Sequence, residues 1–154
     1  MVLTLVVWLG GVIFLAFVEA PTVFAPGFLP SRQLAGSVVG RTLDVLHYMA
    51  IASGVIFLLA SMLHSRLTTG VPRAFAPRHL LIGLMLLITL LSQFVITPKL
   101  HAIRADAGAI DNVAGDDPRR AQFDRLHSLS EKFEGAVLLI GLVALYSTAQ
   151  ALRE

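Results

Sequence analysis

Four long apolar blocks alternate with polar connections along the chain, at roughly residues 2–18, 43–63, 80–96 and 133–152. Each is close to the ~20 residues that a helix needs to cross a hydrocarbon core. Because that core holds no water to satisfy backbone amides and carbonyls, an apolar run of this length is helical. The pattern predicts an all-α fold, an integral membrane four-helix bundle forming a single domain over residues 1–154. The first block lacks the basic flank of a secretion signal and three further spans follow it, so it reads as a retained helix.

The two longer connections, residues 19–42 and 97–132, lie on one side of such a bundle and carry helix signals of their own. Pro30-Ser31 offers a cap for a helix running through Leu34 and Val38 into the second span. Asp117-Pro118 places an acidic cap before Pro at the first helical position, and Phe123, Leu126 and Phe133 follow at helical spacing. A helix from there to Leu152 would be about 35 residues and roughly 50 Å long, more than a bilayer core requires. Helices two and four are therefore expected to extend beyond the bilayer on the side of the long loops. Pro98 is expected to stop or kink the third helix. The run from Asp106 to Asp117 lacks apolar periodicity and reads as a mobile connection.

Composition narrows the chemistry. With 56% hydrophobic and 14% charged residues, the chain is too apolar for a soluble domain of this size. It has no cysteine, which removes disulfides, thiolate metal sites and cysteine nucleophiles. Twelve Lys and Arg against ten Asp and Glu, with no basic run, give a topology signal and no nucleic-acid surface. Arg32, Arg41, Lys99, Arg104, Arg119, Arg120, Arg125 and Lys132 fall on the long-loop side, against Arg66, Arg73, Arg78 and Arg153 on the other. That bias places the long loops in the cytoplasm and both termini outside, in a bacterial inner membrane. No glycine-rich phosphate loop follows a strand and no serine has a base and acid beside it, so no catalytic residue is assigned.

Ionisable residues at membrane depth are costly unless paired or hydrated, so they mark the candidate sites. Glu19, Asp44, Thr97, Lys99, His127, Ser130, Glu131 and Glu134 all belong near the long-loop side, where they would form a polar mouth binding a small ligand or ion. His127, Ser130, Glu131 and Glu134 share one helical face at intervals of three and four. Arg41 and Asp44 read as a local ion pair, His47 as a hydrogen-bonded core residue, and His64 and His79 as interfacial. Gly36-x-x-x-Gly40 and the span glycines read as helix-packing positions. No metal site is expected, since no second acidic and histidine element completes a di-metal pattern.

Trp8-Leu-Gly-Gly-Val-Ile-Phe14, Ala20-Pro21 with Phe24, Leu29-Pro30-Ser31-Arg32, Ala35-Gly36, Val39-Gly40-Arg41, Ile96-Thr97-Pro98-Lys99 with Ile103-Arg104, and Phe123-x-x-Leu-His127-x-x-Ser130 together resemble the transmembrane protein 205-like family, whose bacterial members are described as domain of unknown function 4149. The resemblance implies a four-helix integral membrane protein, fitted here by Gly11, Pro21, Pro98, His127 and Ser130, and defines no reaction. Where related sequences tend to carry Asn after the His-x-x-Ser unit, this chain has Glu134, which would make the position protonatable.

Three readings follow. The first is a non-enzymatic protein that binds or moves a small ligand or ion at the polar mouth, needing no cofactor. Four helices are few for a carrier acting alone, so it calls for a homo-oligomer or a membrane-complex partner. The second is a haem-binding or redox-linked membrane protein, with haem b between two of His47, His127 and His101. The third is an accessory subunit of a membrane complex, docking through the projecting helices.

Overall fold

The computed structural model describes residues 1–70, 77–107 and 110–151. Arg73 and Arg153 of the charge comparison lie outside the described residues, as do residues 108–109 of the connection expected to be mobile. Among the described residues, four helices are long and apolar enough to cross a membrane: α1 (Val2–Val23), α2 (Arg32–Thr69), α3 (Pro77–Ala107) and α4 (Pro118–Ala151). A short 3-10 turn, Ile110–Asn112, lies between α3 and α4. Among the described residues there is no strand.

The helix ends obey local chemistry. Ser31 adopts an extended backbone and its hydroxyl accepts from the Leu34 amide at 3.1 Å, meeting one of the orphan donors of the first turn. Gly70 ends α2 with φ 73°, a left-handed conformation that glycine adopts without steric cost. Asp117 accepts from the Arg119 amide at 2.8 Å and pairs with the Arg119 guanidinium at 2.7 Å. The side-chain bond from Arg119 holds the Asp117 carboxyl down to about 2.

Helices α2 and α4 contain 38 and 34 residues, or about 57 and 51 Å at 1.5 Å per residue. Both outrun a hydrocarbon core of about 30 Å. Gly36 and Gly40 do not interrupt α2.

The third helix does not stop at Pro98 but runs through it to Ala107. Its passage depends on a π-helical turn, Ser92–Ile96, closed by the Thr97 amide bonding to the Ser92 carbonyl. A proline has no amide to donate and its ring crowds the carbonyl four residues back. The wider turn just ahead of Pro98 absorbs that conflict. Helix α1 uses the same device: Leu15–Glu19 form a π turn in which the Ala20 amide reaches the Leu15 carbonyl, and Pro21 follows. Continuation of α3 is also stabilised by packing, since Leu100 and Ile103 are buried with Ile96 and with Phe123 of α4.

The principal contacts join α1 to α2 and α4, and α3 to the same two helices. The bundle is thus a ring in which α2 and α4 face each other across a diagonal. Its centre is packed by Leu5, Trp8, Leu9, Phe57, Ile82, Met85 and Val137. Gly54 is what allows α2 to approach so closely, because a Cβ there would lie 2.9 Å from the Trp8 ring and 2.6 Å from Leu86. Leu3, Phe17, Leu59, Leu139 and Tyr146 point outward and exposed, the apolar exterior that a lipid environment satisfies. The architecture is that of a multi-pass membrane protein.

Candidate functional site

His47 sits within α2, Gln93 within the π turn of α3 and Glu134 on α4, all at the long-loop end of the apolar core. The His47 ring is buried. Its Nε2 lies 2.7 Å from Glu134 Oε1 and its Nδ1 lies 2.7 Å from Gln93 Oε1. A proton on Nε2 is donated to the Glu134 carboxylate. On the other side, the Gln93 amide accepts from a protonated Nδ1 through its oxygen, or donates its NH2 to a bare one after a half-turn. The triad therefore joins three helices and crosses the α2–α4 diagonal, with a partner for the ring in either protonation state.

Beside the triad, a cavity of about 510 Å³ opens among all four helices, within the range of roughly 300–1,000 Å³ usual for small-molecule sites. Its floor is apolar, with Val12 and Leu15 from α1, Leu43 from α2 and Leu138 from α4. Its rim is polar, with Thr97, Arg104, His127, Ser130, Glu131 and Glu134. The four α4 residues of shared helical spacing thus all border one cavity. His127 stacks on Phe123 with ring centroids 5.8 Å apart and lies 3.3 Å from Glu131.

Other candidates are placed elsewhere. Asp44 does not pair with Arg41: its Oδ2 lies 3.4 Å from His101 Nε2 on α3, because that part of α2 faces α3. Its Oδ1 is buried without a hydrogen bond among the described residues. Arg41, Asp44 and Gln93 border a second, smaller cavity of about 310 Å³. Glu19 is half-buried and Lys99 exposed, and neither lines the larger cavity. His79, in the first turn of α3, is buried, with Nε2 2.7 Å from Ser61 Oγ.

Two site residues escape a reading by pattern. Gln93 looks like one of several polar residues closing a span; only the π turn reveals its direction. Arg104 enters the sequence reading as a topology charge, yet it lies against the Gly36 and Gly40 face of α2. The paired glycines were the signal, since they leave a smooth strip on which a long side chain can rest.

Residues 3–109 match a family described as domain of unknown function (DUF4149). The chain belongs to that family. No curated protein matches the chain, and no solved structure does. The DUF4149 region covers α1, α2 and α3, so it includes His47, Gln93 and Arg104, whereas His127, Ser130, Glu131 and Glu134 on α4 lie beyond it. The larger cavity is completed by residues from both parts of the chain. No group of three or more His, Asp or Glu among the described residues is arranged to hold a metal ion. As placed, both ring nitrogens of His47 are engaged, so a haem iron would have to displace Gln93 or Glu134 to bind there.

Proposed function

We propose that this DUF4149 protein is a non-enzymatic membrane protein that binds a small ligand in the cavity at the long-loop end of its bundle. The observation that carries the reading is the cavity itself: about 510 Å³, apolar at its floor and polar at its rim, beside a hydrogen-bonded triad that holds three helices in place. Pockets of this kind, with few convergent polar groups on an apolar lining, are the usual form of small-molecule sites. The wider resemblance to the transmembrane protein 205-like family fits this reading and adds no chemistry to it.

Gly135 provides a test. It borders the cavity, and a Cβ built on it meets nothing within 4 Å. Gly135→Phe is expected to fill the site while the bundle unfolds at no lower denaturant than wild type. Saturable energy transfer from Trp8 to the neutral dye N-phenyl-1-naphthylamine should weaken by about tenfold or more, a loss of at least about 1.4 kcal/mol. Equal transfer in both proteins would show that the dye does not use the cavity, and would defeat the reading.

We also infer that the long loops face the cytoplasm of a bacterial inner membrane, since eight of the twelve Lys and Arg lie on their side. Because the chain has no cysteine, one introduced at Gly115 reports sidedness without background. In intact cells it is expected to resist a membrane-impermeant maleimide and to react after lysis. Labelling in intact cells would reverse the orientation.

A further inference from the structure

The two carboxylates that line the larger cavity are both paired, while its arginine meets no anion. Glu134 is met by His47 at 2.7 Å and Glu131 by His127 at 3.3 Å; Asp44, at the smaller cavity, lies 3.4 Å from His101. Arg104 is half-buried. Its guanidinium lies 5.1 Å from the Phe123 ring centroid. Cβ atoms on Gly36 and Gly40 would stand 3.6 and 3.3 Å from its terminal nitrogens. Among the described residues it forms neither a hydrogen bond nor an ion pair, although Asp44 acts on it at longer range. A guanidinium is a planar fork of five donors, shaped to take an oxyanion through two of them at once.

The rest of the cavity is shaped for a chain. From Phe24, the residue that caps α1, to Val12 the first wall descends twelve residues, and from His127 to Leu138 the α4 wall descends eleven, about 18 and 17 Å. A small inorganic anion on Arg104 would leave this apolar length filled with water. An alkyl tail would cover it.

We propose that the cavity takes a single-chain anionic amphiphile, with its carboxylate or phosphate head on Arg104 and its tail along the floor toward Val12. The proposal rests on the ligand-binding reading above and gives that ligand its chemical class.

Trp8, the single tryptophan of the chain, is buried one helical turn from Val12 and so serves as the reporter. Four probes carrying bromine at the tail end, ω-bromododecanoate, ω-bromododecyl phosphate, ω-bromododecanol and ω-bromododecyltrimethylammonium, are titrated against the whole protein in detergent. Saturable quenching is expected from the carboxylate, the phosphate or both, at concentrations about tenfold below those of the alcohol and the ammonium. The tighter of the two anions distinguishes a fatty-acid head from a phosphate monoester. Arg104→Gln should raise the half-quenching concentration of the anionic probes about tenfold, as befits loss of a charge-assisted hydrogen bond, and leave the alcohol unchanged. Arg104→Lys, which keeps the charge without the fork, should retain part of the preference. Equal quenching by anion, alcohol and ammonium, or a preference for the ammonium, overturns the proposal and leaves the cavity reading standing. Absence of saturable quenching by any probe overturns both.

Discussion

Glu134→Leu is expected to destabilise the bundle by about 3 kcal/mol, the largest effect of any single polar substitution at the site. An interhelical hydrogen bond in lipid contributes on average about 0.6 kcal/mol and at most about 1.7. The larger figure arises because the leucine leaves Nε2 of a buried ring facing hydrocarbon, and an abandoned polar or charged partner costs more than the bond itself contributed. Glu134→Gln retains an acceptor oxygen at the same reach and is expected to cost about 1 kcal/mol or less. In the double variant His47→Leu, Glu134→Leu no ring nitrogen remains to be satisfied, so part of the loss should be recovered. Unfolding in mixed detergent micelles, followed by helical circular dichroism, measures all three. Equal stability of the Leu and Gln variants would show that water from the cavity replaces the carboxylate and that the triad is not a structural tie.

The second large effect is steric. Gly54→Val is expected to cost about 3 kcal/mol, the upper part of the range for forcing extra methyl groups into a packed interior. The first added carbon already meets Leu86 and the Trp8 ring at under 3.0 Å, and the branched methyls have nowhere to turn because Trp8 is itself buried against α4 and α3 neighbours. Gly83 is a control, since a Cβ there meets nothing within 4 Å. Gly83→Ala should leave stability unchanged or raise it by up to about 1 kcal/mol through helix propensity. The same unfolding assay, with Trp8 emission as a second signal, reads both. A Gly54→Val protein as stable as wild type would mean that α1 and α2 separate without penalty and that the close approach is dispensable.

Much of the architecture is legible in the sequence because its cause is local. An apolar run near twenty residues has few alternatives to a membrane helix, and Ser31 and Asp117 announce helix starts through side-chain chemistry that acts within three residues. The α4 face of His127, Ser130, Glu131 and Glu134 follows from helical spacing alone. What escapes is set by contacts between helices. Pro98 has a strong local preference for breaking a helix, and the π turn with the burial of Leu100 and Ile103 overrides it. Asp44 has Arg41 three residues away, yet the packing of α2 on α3 turns it toward His101. Arg104 is one of twelve Lys and Arg in the sequence, and its place against Gly36, Gly40 and the Phe123 ring is set by helix packing.

The two π turns have a consequence for the outer half of the molecule. Each adds one residue to a turn, so the face that α1 or α3 presents to its neighbours below the turn is not the face that the same spacing would predict above it. In α3 the offset swings Gln93 inward to the His47 ring and Thr97 to the cavity, while Lys99 remains outside. Deleting a single residue within Ser92–Ile96 would restore a regular helix and rotate everything from Pro98 to Ala107 by about a quarter turn or slightly more. Arg104 would leave its glycine bed and Leu100 its contact with Phe123. The length of that one turn, more than any side chain in it, determines which residues of the third helix the cavity meets.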